Sequence, residues 1–167
     1  MSFPITYWYG IRKEFLSKDR LIEARDAGFT HIECVYDAET NKQVLVWAEE
    51  LGLKVNLGDR RMELALTQKP GWEDALRGMM EEYRLYPALC RYFVKDEPTN
   101  DWFAVLGKIA DVMRETDPPH PPYINLFPSC VYPGSYGEHV DAYLDAVKPE
   151  LLSFDHYIFK KRPVTLS

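Results

Sequence analysis

The chain has 167 residues, of which 46% are hydrophobic and 28% charged, and its net charge is −6. This length suits a single domain over residues 1–167, and it is too short for two ordinary domains. The acidic balance and the scattered Lys and Arg residues argue against a nucleic-acid surface and against docking on anionic lipid, and no apolar stretch is long enough to span a bilayer.

Strand-like and helix-like segments alternate along the sequence. Short runs rich in β-branched and aromatic residues predict strands, and the amphipathic segments between them predict helices. The predicted strands are 5–9, 31–36, 54–57, 89–94, 123–127 and 151–157. The predicted helices lie near 18–27, 40–51, 72–86, 101–116 and 136–147.

Several helix boundaries carry sequence signals. TNKQ (40–43) and SYGE (135–138) fit the capping box, in which a hydroxyl and an acid or amide three residues later satisfy free backbone donors. Gly28 and Gly52 follow predicted helices, where a left-handed residue ends the last turn. Short connections between alternating strands and helices indicate βαβ units and a parallel sheet.

Two α/β folds accept this pattern, an open doubly wound sheet and a (β/α)8 barrel. The first βα turn, YWYGIRKEF at 7–15, contains neither GxGxxG nor GxxxxGK[ST], which disfavours a nucleotide-binding sheet. If the apolar residues of each strand face the helices, the two-residue period places polar residues on the opposite face. Those polar residues are Glu33, Asn56, Lys95, Glu97, Asn125, Ser153 and Asp155.

A polar second face distinguishes between the two folds. In a sheet that carries helices on both sides, this face is apolar. In a barrel, the carboxyl ends of the strands open into the mouth where active sites lie. The sequence therefore predicts a TIM-type (β/α)8 barrel, here partial, with about six βα strands.

The stretch YFVKDEP (92–98) ends a predicted strand with three charged residues and a proline. At this point the chain resembles the retaining glycoside hydrolases of clan A, a (β/α)8 superfamily that includes many β-galactosidases, cellulases and mannanases. In that group the acid/base glutamate closes the fourth strand in an Asn-Glu or Asn-Glu-Pro sequence, and Glu97-Pro98 matches this position. YINLFP (123–128) and LLSFDHY (151–157) resemble the fifth and sixth strands of β-galactosidase-related members.

The resemblance implies a hydrolase for β-linked glycosides that uses Glu97 as its acid/base residue. Two departures from the family pattern stand out. The family's asparagine is Asp96 here, and the family's nucleophile is a second glutamate that ends the seventh strand, which this sequence does not show. After Tyr157 only IFKKRPVTLS remains, so we expect about three quarters of the barrel strands and no nucleophile from this chain.

Neighbouring charges bear on the chemistry of Glu97. A general acid needs a raised pKa, which an apolar site or a nearby negative charge provides. Asp96 acts in that direction, whereas Lys95, expected on the same face as Glu97, would hold it ionised. The sequence leaves this balance open.

Seven side chains near the predicted strand ends are expected to bind the substrate. Trp8 is a stacking surface for a sugar ring or packs on the first loop, and Glu33 binds a hydroxyl or pairs with Arg60 or Arg61. The full set is Trp8, Glu33, Asp96, Asn125, Asp155, His156 and Tyr157. Adjacent residues point to opposite faces, so Asp155 and His156 are not expected to chelate a metal together.

Cysteine usage favours a reducing compartment. Cys34, Cys90 and Cys130 lie far apart, form no CxxC motif and are odd in number, so we expect buried free thiols and a cytoplasmic protein. The N-terminal segment has no basic region followed by an apolar one, so no signal peptide is expected.

Two other functions fit the same pattern. A metal-dependent sugar isomerase or lyase would use Glu33, Glu97 and Asp155 as oxygen ligands for a divalent cation. A non-catalytic truncated barrel would bind sugar, or would form a homodimer through the open sheet edges. The glycosidase interpretation requires a carbohydrate substrate, and neither a cofactor nor a metal.

Overall fold

A computed structural model describes residues 3–157 of the chain. These residues form one parallel sheet of five strands, arranged in sequence order. The strands are β1 (His31–Tyr36), β2 (Lys54–Asp59), β3 (Leu89–Asp96), β4 (Pro122–Leu126) and β5 (Ser153–Phe154). No helix among the described residues is long and apolar enough to span a membrane.

Six α-helices precede or connect these strands. They are α1 (Lys18–Asp26), α2 (Ala38–Leu51), α3 (Met62–Leu66), α4 (Trp72–Tyr83), α5 (Phe103–Thr116) and α6 (Tyr136–Val147). All five predicted helices are present, and α3 is an additional short one. Two 3₁₀ turns, Lys13–Phe15 and Asn100–Trp102, precede α1 and α5.

The predicted first strand, 5–9, is not a strand. Only its first residue engages the sheet, since the Ile5 carbonyl accepts the backbone N–H groups of Thr30 and His31 at 2.9 and 3.0 Å. The segment therefore lies beside the beginning of β1 without forming a ladder. Six strands were predicted, and the described part of the chain contains the other five.

The strand order excludes the doubly wound alternative. In that fold the strand order reverses and helices cover both faces, whereas here each strand pairs with the next along the chain. Right-handed crossovers in such a sheet place every helix on one side, and neighbouring helices pack on each other in sequence. The result is an α/β sheet that corresponds to part of a TIM-like fold; the five strands form an open sheet.

The face that carries the helices holds the core. The apolar residues predicted to point this way from β1 to β4 are at most 4% exposed: Ile32, Cys34, Val55, Leu57, Tyr92, Val94, Ile124 and Leu126. The same prediction fails for Leu152 and Phe154, which are 42% and 49% exposed. No helix follows β5 within residues 3–157 to cover them.

Local capping agrees with the sequence in part. Ser135 accepts the N–H of Glu138 as predicted, and Gly52 ends α2 at a positive φ of 69°. Helix α2 begins earlier than predicted because Asp37, and not Thr40, is its N-cap.

The three cysteines are free thiols. Cys34 is buried, Cys90 is half-buried and Cys130 is exposed, so the prediction of buried thiols is confirmed for Cys34 and is wrong for Cys130.

Candidate active site

A β-bulge in β3 decides which charges face the open side of the sheet. Phe93 pairs with Tyr123 and Lys95 pairs with Ile124, so the strand carries one extra residue between these pairs. Lys95 therefore shares a face with the buried Ile124, on the helix side. Its Nζ lies 4.7 Å from the ring centroid of Trp102, in a cation–π contact. The predicted position of Lys95 on the polar face is wrong.

The bulge brings Asp96 onto the open face, opposite Asn125. Asn125 is 2% exposed, and its Nδ2 donates to Oδ1 of Asp96 at 3.2 Å and to Oδ1 of Asp155 at 3.0 Å. The Ser153 hydroxyl donates to Oδ1 of Asn125 at 2.8 Å. One buried amide thus holds two carboxylates at the carboxyl ends of neighbouring strands.

Glu97 follows β3 directly and joins this group. Its backbone N–H donates to the Asn125 carbonyl at 2.8 Å, and its φ is +43°, a left-handed conformation that non-glycine residues rarely adopt. Burial raises the pKa of the Glu97 carboxyl, and the negative charges of Asp96 and Asp155 raise it further. The side chains of Glu97 and Asp155 also share a hydrogen bond. Lys95 lies on the other face, and the causes that act on Glu97 all raise its pKa, which bears on the question that the sequence left open.

A cleft of about 400 Å³ opens above these carboxyl groups. Its lining residues are Trp8, Tyr9, Asp96, Glu97, Asp155 and Tyr157. The Tyr157 hydroxyl donates to Oδ2 of Asp155 at 3.1 Å. Acidic groups and aromatic rings therefore line the same space, as suits a ligand that has both hydroxyl groups and apolar faces.

The segment that carries Trp8 and Tyr9 is held in a strained turn. Tyr9 has a φ of +68°, and a Cβ on Gly10 would lie 2.4 Å from the Glu33 carbonyl oxygen, so only glycine fits there. The Trp8 ring packs edge-on against Phe93 at a centroid distance of 5.7 Å. Tyr9 and Glu97 are thus two left-handed non-glycine residues on one cleft, and such strain clusters at functional sites.

Glu33 lies deeper on the same face and is 5% exposed. Its Oε1 accepts Nδ2 of Asn56 at 2.9 Å, and burial raises the pKa of its carboxyl to about 7. It lines an adjoining cleft of about 360 Å³ together with Trp8 and Tyr9. The expected pairing of Glu33 with Arg60 or Arg61 is not found.

Arg61 belongs to a separate ion-pair network. It donates to both carboxylate oxygens of Asp59, at 3.0 and 2.8 Å, and to Glu82 at 2.5 Å. The hydroxyl of Tyr83 donates to Asp59 at 2.7 Å. Asp59 is nearly buried, so these bonds stabilise the end of β2. The sequence suggested Arg61 as a partner of Glu33 and gave no sign of this network.

Six of the eight predicted site residues come together around the carboxyl ends of the strands: Trp8, Asp96, Glu97, Asn125, Asp155 and Tyr157. Glu33 lies in the adjoining cleft, and His156 is exposed and lines neither cleft. The expectation that this chain has no seventh strand concerns 158–167, which lies outside the described residues. Within residues 3–157 no group of three or more His, Cys, Asp or Glu side chains is placed to hold a metal ion. The trio required for a metal-dependent isomerase is therefore not assembled.

Comparisons with known proteins give structural neighbours only. No family model matches the sequence, and no curated protein matches it. A glycosyl hydrolase family 2 member from Bacteroides cellulosilyticus DSM 14838 superposes with a TM-score of 0.60 at 15% identity, covering 83% of this chain and 18% of its own. An endo-1,4-β-mannanase from Eisenia fetida gives a TM-score of 0.58 at 11% identity, covering 83% of this chain and 58% of its own.

A calcium-binding mutant of β-glucuronidase 2 from Bacteroides uniformis gives a TM-score of 0.57 at 12% identity, with 83% of this chain and 18% of that one covered. The chain thus spans between about a fifth and three fifths of the length of these structures. At such identities the similarity establishes a shared fold. The chain has the β/α fold found in parts of these three solved glycosidases.

Proposed function

We propose that the chain is the acid/base-bearing part of a glycoside hydrolase that acts on β-linked glycosides by a retaining mechanism. The observation that carries this proposal is the placement of Glu97 at the end of β3, against Asp155 and beside Asp96, in a cleft with aromatic walls. The fold shared with three glycosidase structures supports it. The Glu97-Pro98 sequence matches the acid/base position of clan A enzymes.

Glycoside hydrolysis needs a carboxyl group that first gives a proton and then takes one back. Glu97 would protonate the departing glycosidic oxygen as the bond to the sugar breaks, and its carboxylate would then remove a proton from the attacking water. Burial and two neighbouring negative charges raise the pKa of Glu97, a shift in the direction of the protonated state that the first step uses.

We propose that Asp155 is not the nucleophile of this reaction. Retaining enzymes separate their two carboxyl groups by about 5–5.5 Å, so that the sugar fits between them. The charge of Asp155 raises the pKa of the Glu97 carboxyl, and this effect suits a residue that assists the acid. We propose instead that Asp155 keeps Glu97 protonated, and that the nucleophile is a second carboxylate in the part of the barrel that follows the sixth predicted strand.

The remaining site residues would position the sugar. Trp8 is 38% exposed above the cleft and offers its face to a pyranose ring, while Tyr157 and Asp155 offer hydroxyl and carboxylate groups to sugar hydroxyls. The amide nitrogen of Asn125 donates to Asp96 and Asp155. We therefore propose that Asn125 orients these carboxylates and does not contact the sugar directly.

The test compares the wild-type chain, Glu97→Gln and Glu73→Gln on aryl β-glycosides of galactose, glucose, mannose, xylose and arabinose. Glu73 is an exposed glutamate in the first turn of α4 and serves as the matched control. If the wild-type chain turns these substrates over, Glu97→Gln should lose about 10²–10⁴-fold in kcat/KM on nitrophenyl glycosides. The loss should be smaller with a dinitrophenyl leaving group, which departs with less protonation.

Binding is measured alongside turnover, from the change in tryptophan fluorescence as free sugars are added, with Trp8→Ala as a comparison. Sugar binding that Trp8→Ala weakens, without turnover, would support the site and place the second carboxylate outside this chain. A wild-type chain that neither hydrolyses nor binds any of the five sugars would contradict the proposal. So would hydrolysis that Glu97→Gln leaves unchanged.

A further inference from the structure

A second cavity opens on the uncovered face of the sheet, near the amino-terminal ends of the strands. Its volume is about 340 Å³, and His31, Asn56 and Arg91 form its polar floor. Arg91 pairs with Asn56 in the β2–β3 register, which places both side chains on this face. The apolar walls are formed by Pro4, Tyr123, Leu151, Leu152 and Phe154.

Arg91 is a half-buried cation without an anionic partner among residues 3–157. Its Nη1 donates only to the Sγ of Cys90, at 3.3 Å, and its Nε is buried with no hydrogen-bond partner. A guanidinium has five N–H donors in a planar fork. Leaving such donors unused in a poorly hydrated position costs free energy, and a carboxylate would recover it through two parallel charge-assisted bonds.

The other polar groups on the cavity floor are also incompletely used. Asn56 is 5% exposed and donates to Glu33, yet its Oδ1 is buried with no partner among the described residues. The pKa of His31 is lowered, first by burial and then by the positive charges of Arg91 and Lys54. Two positive charges, those of Arg91 and Lys54, thus act on this end of the face.

We propose that this cavity binds a small carboxylic acid with an apolar body, whose carboxylate is held by the guanidinium of Arg91. The apolar residues that line the cavity, among them Pro4, Tyr123 and Leu151, would cover the apolar body of the ligand. The unpartnered Asn56 Oδ1 would accept a hydrogen from a hydroxyl or amide on the ligand. This site is separate from the Glu97 cleft and does not depend on the glycosidase proposal.

The probe is benzoate, with benzamide as a neutral molecule of the same shape, titrated into the full chain by calorimetry. We expect benzoate to bind at least about tenfold more tightly than benzamide, because only benzoate offers a charge to Arg91. Arg91→Met should remove this preference, and Arg91→Lys, which keeps the charge without the fork, should reduce it. Arg25→Met, at an exposed arginine on α1 that pairs with Asp26, is the control and should leave binding unchanged.

Equal binding of benzoate and benzamide, or binding that Arg91→Met and Arg91→Lys both leave intact, would overturn the proposal. Failure of benzoate to bind at millimolar concentration would overturn it as well. Analytical ultracentrifugation under the same conditions tests whether a second copy of the chain fills the cavity. A dimer that Arg91→Met dissociates would show that a carboxylate from a second copy occupies the cavity, and would overturn the assignment to a small acid.

Discussion

The two faces of the sheet hold their side chains by different means. On the helix side, Leu57 and Val55 lie among apolar neighbours and are at most 1% exposed. On the open side, Asn56 and Asn125 link carboxylates by directed hydrogen bonds across neighbouring strands. Apolar packing is non-directional and stabilises the fold, whereas hydrogen bonds of fixed length and angle determine where each carboxylate lies. The difference indicates that stability resides on one face and chemistry on the other.

The largest expected effect tests this difference with two truncations on adjacent strands. Leu57→Ala removes a side chain that is 1% exposed on the helix side, and should lower the free energy of unfolding by about 2–5 kcal/mol. Val35→Ala, on the open side and 53% exposed, should change it by less than about 0.5 kcal/mol. Chemical denaturation monitored by circular dichroism measures both. Similar losses in the free energy of unfolding for the two variants would contradict the proposal that stability resides on the helix side of the sheet.

A second prediction concerns the pH dependence that Glu33 gives to stability. Burial raises its pKa from the usual 4.5 to about 7, so between these values the folded chain holds a proton that the unfolded chain has lost. The free energy of unfolding should therefore fall as the pH rises through this window, by about 3 kcal/mol in total. Glu33→Gln should match the wild type near pH 4.5 and be the more stable protein at pH 8.

The control for this prediction has the opposite sign. Hydrogen bonds from Arg61, and then from Lys42, lower the pKa of the Glu82 carboxyl, so its contribution is present above its usual pKa and is lost as the pH falls. Glu82→Gln should therefore be less stable than the wild type at pH 8, and the difference should shrink in acid. A Glu33→Gln variant that is less stable at pH 8 would show that Glu33 is stabilising as a carboxylate.

The same division explains what the sequence predicted well. Strand β1 and helix α6 match their predicted bounds because apolar periodicity and the Ser135 cap are local signals. The inward-facing core of β1 to β4 follows from the two-residue alternation of apolar side chains. These features depend on neighbouring residues, and the sequence displays them directly.

The site was predicted less completely because a bulge is not a periodic feature. One extra residue between Phe93 and Lys95 moves Lys95 to the helix side and puts Asp96, and not Lys95, beside Asn125. Strict alternation has no way to show this, although Asp96 and Glu97 were both identified as site residues. The left-handed turn at Tyr9 had one indication in the sequence, the glycine that follows this residue.

A third prediction addresses how Asp155 acts on Glu97 within the open face. The charge of Asp155 is one of the causes that raise the pKa of Glu97, so Asp155→Asn should shift the Glu97 titration to lower pH. Carbon-13 NMR of the glutamate side-chain carboxyl measures this without any assay of activity. Asp74→Asn, at an exposed position on α4, is the control and should leave the titration in place. An unchanged Glu97 titration in Asp155→Asn would mean that burial and the charge of Asp96 raise the pKa of Glu97 without Asp155.

The smallest expected effect is that of replacing Lys95. This substitution distinguishes a bulged β3 from a regular strand. In a regular strand Lys95 would face the carboxyl groups, and its removal would raise the pKa of Glu97 further. In the bulged strand its ammonium group lies 4.7 Å from the Trp102 ring centroid, so Lys95→Met should cost only about 0.5–1 kcal/mol of stability. The Glu97 titration should stay where it is in the wild type. A Glu97 titration that moves to higher pH in Lys95→Met would place the ammonium group on the open face, and the assignment of charge to one face of the sheet would then fail at its central strand.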